Sequence, residues 1–417
     1  MTINTPLRSL VNRLGQVALK DASNPSPQVH YELLHMIEQL RSAVESPTET
    51  VLRLIYQPPQ NAAVRIVIEL GIFNLLVRDT DLSATQLAEY TGAERELIGI
   101  TPCREKPRDH GLWSPLTRIV RLMRVMVSLG LCSMSASEVY TANEKTVAFT
   151  QPIGRDGLAC IFDLTLPTLS KLPEYMRSHG YSNPKDYALS PMQWAVGQSQ
   201  FEWLASHPEQ QRSFNSYMTS RRDGRPMWFD VYPVERLLGH GVPFKDTTFL
   251  VDVGGNQGHD LVKFRREYGH LPGRLVLQDL PDVVSGALGV SKDADAIDVM
   301  AYSFLDPQPV KGARAYYFRA IFHDWPDHIC QVILRNTISA MARDYSRILI
   351  VDFVLSDMET PLMQASIDIQ MMSIGAGMER SKKQWKQLLE SVGLEITGIW
   401  SQSPGMESVI EAVPMSI

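Results

Sequence analysis

Apolar positions in the first part of the chain recur at helical spacing. Leu7, Leu10, Val11, Leu14 and Val17 share one helix face, and a second amphipathic run covers about residues 30–44. Residues 61–77 are too apolar all round for a surface helix, a pattern that predicts burial. The runs 83–92 and 118–130 read as short helices, each closed by a glycine, as helix C-termini commonly are. With the extended segment 139–142 they predict a winged-helix-like module over about residues 60–145.

From residue 247 the texture changes. Runs at 247–253, 274–278, 297–301, 314–318 and 346–355 read as strands, with helical patterns at 259–268, 281–288 and 326–341 between several of them. That alternation predicts an α/β fold with a doubly wound, parallel sheet. Two final strand-like runs, 394–400 and 407–413, are joined by a short turn, which makes an antiparallel hairpin. The Gly/Pro-rich stretch 239–243 sets the boundary, giving a helical region over 1–240 and an α/β domain over 241–417. Residues 99–117 match neither texture: three prolines and two glycines predict a loop inserted between helical pieces.

Composition narrows the classes. A chain of 417 residues exceeds the usual single core, in line with two domains. A net charge of −6 lacks the basic footprint of a nucleic-acid binder. Arg118, Arg121 and Arg124 recur every third position, as on a recognition helix, yet beside an apolar opposite face they read as solvated charges. Cys103, Cys132, Cys160 and Cys330 form no C-x-x-C pair and no cluster at zinc spacing, so no metal is expected. No run reaches the roughly 20 apolar residues of a membrane span. The first residues lack the apolar core of a signal peptide, so a cytoplasmic protein is expected.

The chemistry begins at Asp252-Val-Gly-Gly-Asn-Gln-Gly258, a strand running into a glycine-rich turn and a helix. Gly254, Gly255 and Gly258 let the backbone turn tightly and approach a ligand at a helix N-terminus. Asp279 follows Gly258 by 21 residues, at a strand end, where a carboxylate can accept ribose hydroxyls. The spacing D-x-G-G-x-x-G, rather than G-x-G-x-x-G, favours S-adenosylmethionine (SAM) over a nicotinamide dinucleotide.

Further motifs sharpen this. Arg319-Ala-Ile-Phe-His-Asp-Trp-Pro-Asp327 follows the fourth strand, and Gly377-Met-Glu-Arg-Ser-Lys-Lys-Gln-Trp385 precedes the helix before the hairpin. With VDVGG, LQDLP and the segment from Phe201 to Pro226, they resemble the caffeate- and flavonoid-type O-methyltransferases and their fungal relatives. The resemblance covers nearly the whole chain apart from 99–117. It implies a class I methyltransferase sheet of seven strands, preceded by an all-α, winged-helix-like domain that forms a homodimer and helps to close the neighbour's pocket. It also implies His323 as general base, oriented by Asp352 and Glu379. Ser303, Phe304, Arg319, Asp324 and Trp325 fall at cofactor-side positions. A histidine suits the role because its ordinary pKa of about 6.5 lies near working pH.

Three positions depart from the pattern. Ser303 stands where relatives often have aspartate, Asn256 where they have glycine, and Asp352 where many carry the longer glutamate. Phe214, Met218, Met227, Trp228, Met371 and Met372 are candidates to line an apolar pocket for a flat small molecule, although methionine stripes also build cores. Some fungal members of this family keep SAM as a bound cation and catalyse dehydration or pericyclic ring formation. Those enzymes tend to lose the base, whereas His323 is intact, so methyl transfer to a hydroxyl is the expectation.

Overall fold

Local signals decide where the short helices begin and end. Ser83 caps the helix Ala84–Thr91, accepting from the Gln86 N–H while Gln86 reaches back, and Gly92 closes it at φ +67°. The computed structural model describes residues 5–93, 120–222, 224–239, 247–285 and 297–415. The expected insertion at 99–117, Arg118, and most of the 239–243 boundary stretch lie outside the described residues. By contacts the chain forms two compact units, Met1–Leu40 with Lys171–Ser199 and Gly224–Ile417, and Arg41–Ser170 with Gln200–Asp223. The units interleave along the chain, where the change of texture suggested one cut near residue 240.

The second of these units carries the winged-helix-like module. Strands β1 (Leu82–Ser83), β2 (Ser133–Ala136) and β3 (Val139–Thr141) form an antiparallel sheet in the order β1-β3-β2. Val64, Val67, Phe73, Leu76, Leu87, Met123, Met126 and Tyr140 build its core. Residues 61–77 are not one buried helix. Gly71, at φ +67°, separates Gln57–Glu69 from Ile72–Arg78, and the bend there is 59°. Each piece then buries one face and leaves another open: Ile66 and Val77 are exposed. The preceding helix, Pro47–Ile55, buries no side chain at all. Among the described residues, no single helix is long and apolar enough to cross a membrane.

The other unit is built on a seven-stranded sheet. Its strands are β4 (Thr248–Val253), β5 (Arg274–Asp279), β6 (Ile297–Ala301), β7 (Ala315–Arg319) and β8 (Arg347–Asp352), with the last two given below. Two short strands, β9 (Val354–Leu355) and β10 (Arg380–Ser381), pair parallel beside it. β11 (Leu394–Ser401) and β12 (Ser408–Pro414) complete the order β11-β12-β8-β7-β4-β5-β6. The strands from β8 to β6 are parallel, and the terminal hairpin enters antiparallel to β8.

Every residue of β4 and β7 is buried, as in sheets covered on both faces. Alternate residues feed opposite layers: Tyr316 and Phe318 pack with Ile348, Ile350 and Trp385, while Tyr317 packs with Phe249, Phe264 and Trp228. Trp228, named from sequence as a pocket candidate, is 3% exposed and stacks on Phe264 at 5.3 Å, within this second layer.

Candidate active site

The carboxyl ends of β4, β5, β7 and β8 converge on one edge of the sheet, where parallel α/β folds bind ligands. The β4 turn is shaped by close approach. Gly254 sits at φ +75°, and a Cβ there would come within 2.5 Å of Ile321. A Cβ on Gly255 would fall 2.5 Å from both Asp252 and Leu277. Both glycine N–H groups donate to the Gln278 carbonyl, at 2.8 and 3.2 Å, which ties the turn to the end of β5.

Asp279 completes the tie. Its carboxylate accepts from the Asn256 N–H and from the Leu280 N–H, each at 2.7 Å. Asn256 stands at φ 55°, a left-handed conformation that asparagine tolerates better than most residues, so the departure from glycine keeps the turn. A carboxylate has about four acceptor positions, so two remain for ribose hydroxyls. Beyond β6, the Ser303 hydroxyl accepts from the Leu305 N–H at 3.3 Å. Phe304 meets Trp325 edge-on at 6.0 Å, and Tyr187 lies 5.7 Å from the same indole. Tyr187 carried no sequence signal; only packing brings its segment to this edge.

Arg319 is placed differently from its expected cofactor-side role. Its guanidinium is bound by Asp260 at 3.0 Å and by Glu407 at 2.6 Å, and Tyr317 donates to Asp260 at 2.7 Å. Burial opposes the arginine's charge, but the neighbouring anionic groups outweigh it and hold the proton more tightly than usual. Its described contacts join helix His259–Glu267 and the start of β12 to β7.

His323 sits in the single turn Phe322–Asp324 directly after β7 and is 7% exposed. Its Nδ1 is 2.8 Å from Glu379 Oε1, its Nε2 is 3.6 Å from Asp324 Oδ1, and Asp352 Oδ1 stands 4.0 Å from Nδ1. With Glu379 accepting from Nδ1–H, Nε2 is the nitrogen left for reacting groups. Asp352 does not orient the ring by hydrogen bonding, as the resemblance implied it would. The aspartate side chain stops short of bonding distance, and Nδ1 has only one proton to give. Asp352 Oδ2 and Glu379 Oε2 are both buried with no hydrogen-bond partner.

Charge follows from this crowding. Burial works against a charged imidazole, yet Asp324, Glu379 and Asp352 together push the His323 pKa up to about 10. Burial drives the Asp352 carboxyl up to about 8; His323 opposes that rise and Glu379 adds to it. The Glu379 segment is itself held close. A Cβ on Gly377 would lie 2.1 Å from the His323 carbonyl oxygen, which also accepts the Met378 N–H at 2.9 Å. The Glu379 N–H donates to Asp368 at 2.8 Å.

The pocket candidates belong to both units. Met371 is buried and Met372 half-buried on helix Leu362–Gly375, whose end leads into the Glu379 segment. Met227 is half-buried, with its sulfur 3.9 Å from Lys263 Nζ. Phe214 and Met218 are half-buried on helix Pro208–Ser220, in the other unit.

Comparison with known proteins agrees with this geometry. The O-methyltransferase domain family matches residues 182–395. Methyltransferase cfoC of Aspergillus candidus is 33% identical, over 97% of each chain. Demethylsterigmatocystin 6-O-methyltransferase of Aspergillus parasiticus is 31% identical, over 91% of each. Among solved structures, LepI in complex with SAM superposes with a TM-score of 0.83 at 28% identity, over 99% of this chain and 100% of that one. A structure described as a pericyclic reaction enzyme gives 0.82 at 28% identity, over 98% and 100%. The chain belongs to the SAM-dependent O-methyltransferase family, on a class I methyltransferase fold. The glycine cradle and Asp279 at the end of β5 suit SAM, which is its cofactor.

Proposed function

We propose that the protein transfers a methyl group from SAM to a hydroxyl of a small aromatic or polyketide-type metabolite. The observation that carries this reading is the buried His323–Glu379 pair at the end of β7, with Nε2 unclaimed by Glu379. When bound, SAM supplies a sulfonium-activated methyl. Beside the SAM sulfonium His323 loses the proton that its pKa of about 10 otherwise keeps. Its neutral Nε2 then takes the hydroxyl proton as the oxygen bonds to the methyl carbon and the carbon–sulfur bond breaks. Glu379 stabilises the resulting imidazolium, and S-adenosylhomocysteine leaves uncharged at sulfur. Asp279 and the Gly254–Gly255 turn hold the nucleoside, with Trp325 and Phe304 beside it. Met371 and Met372 are proposed to line the acceptor pocket.

The same reading includes a homodimer, acting in the cytoplasm. Its support is helix Pro47–Ile55, on which Val51, Leu52, Leu54 and Ile55 are 56, 45, 53 and 57% exposed. A stripe of that size on a monomer marks an interaction surface.

A second reading has its own support in the likeness to a pericyclic reaction enzyme at 28% identity. In that case SAM would stay intact and act as a cation beside a polarised carbonyl. Mass spectrometry with methyl-labelled SAM and a panel of phenols and polyketides separates the two. Methyl transfer adds one labelled methyl to the acceptor and releases S-adenosylhomocysteine. Products isomeric with the acceptor, or dehydrated, with all SAM recovered, reject the methyltransferase reading.

A further inference from the structure

A buried positive charge lies next to the catalytic pair and plays no part in the chemistry above. Arg380 follows Glu379 directly and is 1% exposed. Its Nη1 donates to the Phe322 carbonyl at 2.7 Å and its Nη2 to the Trp325 carbonyl at 2.9 Å. Those carbonyls flank the turn that carries His323. Nε and Nη2 also reach Asp327 Oδ1, at 3.0 and 2.8 Å, and Nη2 approaches Cys330 Sγ at 3.3 Å. The guanidinium carbon lies 5.4 Å from the centre of the Trp385 ring.

The neighbours of Arg380 grip the same turn. The Met378 N–H donates to the His323 carbonyl at 2.9 Å, and Glu379 accepts from the imidazole Nδ1–H at 2.8 Å. Arg380 pairs with Val354 in the β9–β10 ladder, two residues beyond Asp352. Three consecutive residues therefore hold the backbone before, at and after His323, as well as its ring. Only a planar fork serves both carbonyls and a carboxylate at once; an ammonium is a point charge and cannot.

We propose that Arg380 is a positioning residue for the transfer, fixing the Phe322–Trp325 turn so that the His323–Glu379 bond is preformed. Asp327, whose side chain is 57% exposed, is the latch that keeps the guanidinium aimed. The proposal rests on His323 being the base. Small displacements of a reacting group are costly: a misplacement of about 1 Å can lower a rate by about 100-fold.

The test uses the full chain with Arg380→Lys and Asp327→Ala. Three quantities are read: kcat against KM, SAM affinity by calorimetry, and the proton resonance of His323 Nδ1 in protein labelled with 15N-histidine. Arg380→Lys should lower kcat by roughly 10- to 100-fold while SAM affinity and KM move far less. The Nδ1 proton should lose its downfield, slowly exchanging signal. Asp327→Ala should do the same more weakly, by about two- to tenfold in kcat. In a His323→Ala background neither change should lower the residual activity further.

A folded Arg380→Lys protein with wild-type kcat and an unchanged Nδ1 resonance overturns the proposal. So does a variant that melts earlier but keeps full kcat per folded molecule. If Arg380→Lys does not fold, Asp327→Ala decides, since unchanged kcat and resonance there reject the latch. The resonance is read without turnover, so it judges the clamp even if labelled SAM shows that no methyl is transferred.

Discussion

Replacing Glu379 by glutamine and, separately, Asp352 by asparagine distinguishes the two carboxylates near His323. Glu379 forms the 2.8 Å contact with Nδ1, and both partners are buried. A hydrogen bond to a charged group contributes about 1.5–3 kcal/mol, and the imidazolium formed during transfer depends on it most. Glu379→Gln should therefore lower kcat by roughly 10- to 100-fold, at about 1.4 kcal/mol per tenfold. Asp352 stands 4.0 Å from the ring, and its pKa near 8 keeps it mostly protonated at pH 7. A neutral amide of the same shape then changes little, so kcat of Asp352→Asn at pH 7 should stay within about threefold of wild type. Above pH 8 the wild-type carboxyl ionises and the amide does not, so the two pH profiles should part there. The assay is initial rate at saturating SAM from pH 6 to 10. An Asp352→Asn loss at pH 7 as large as that of Glu379→Gln would refute the assignment of Glu379 as the sole orienting carboxylate.

Other outcomes follow from the same geometry. Asp279→Ala removes the 2.7 Å tie to the Asn256 N–H and the acceptor proposed for the ribose hydroxyls, and should weaken SAM binding about 10-fold or more, measured by calorimetry. The His323 and Asp352 pKa values are both raised, so both groups contribute stability at low pH that disappears as pH rises through about 10 and about 8. Thermal melts should fall as pH rises from about 4 to 10, and the advantage of Asp352→Asn over wild type should be absent below about pH 4, grow with pH and be complete by about pH 9. A cation placed beside His323 disfavours its imidazolium, so SAM binding should release protons, seen as a buffer-dependent binding enthalpy; S-adenosylhomocysteine should release fewer. Val51→Glu with Ile55→Glu should shift light scattering from dimer toward monomer; an unchanged dimer mass would place the interface elsewhere.

The sequence by itself determined the elements and the cofactor turn, because these depend on neighbours close along the chain. The strands at the sheet's centre, the capping serine and closing glycine of Ala84–Thr91, and the glycines of the β4 turn all follow from periodicity or from a local backbone need. His323 was legible only through the resemblance of the motif around it, since a lone histidine after a strand carries no local signature of its role. Gly71 also stood in plain view, but the apolar run around it hid the break, and only the left-handed backbone there divides 61–77. What tertiary structure decided were the pairings across distance. Whether Glu379 or Asp352 takes the Nδ1 proton depends on reach across 56 residues of chain, where one methylene is the difference between bonding and mere proximity. Arg319 could serve a ligand or two carboxylates, and only the fold brings Asp260 and Glu407 to it. Trp228 reads as pocket or core with equal ease, and its stacking on Phe264 places it in the layer beneath the sheet. Arg380 carried no signal of its own within its motif, because two of its guanidinium's partners are backbone carbonyls, which any residue supplies.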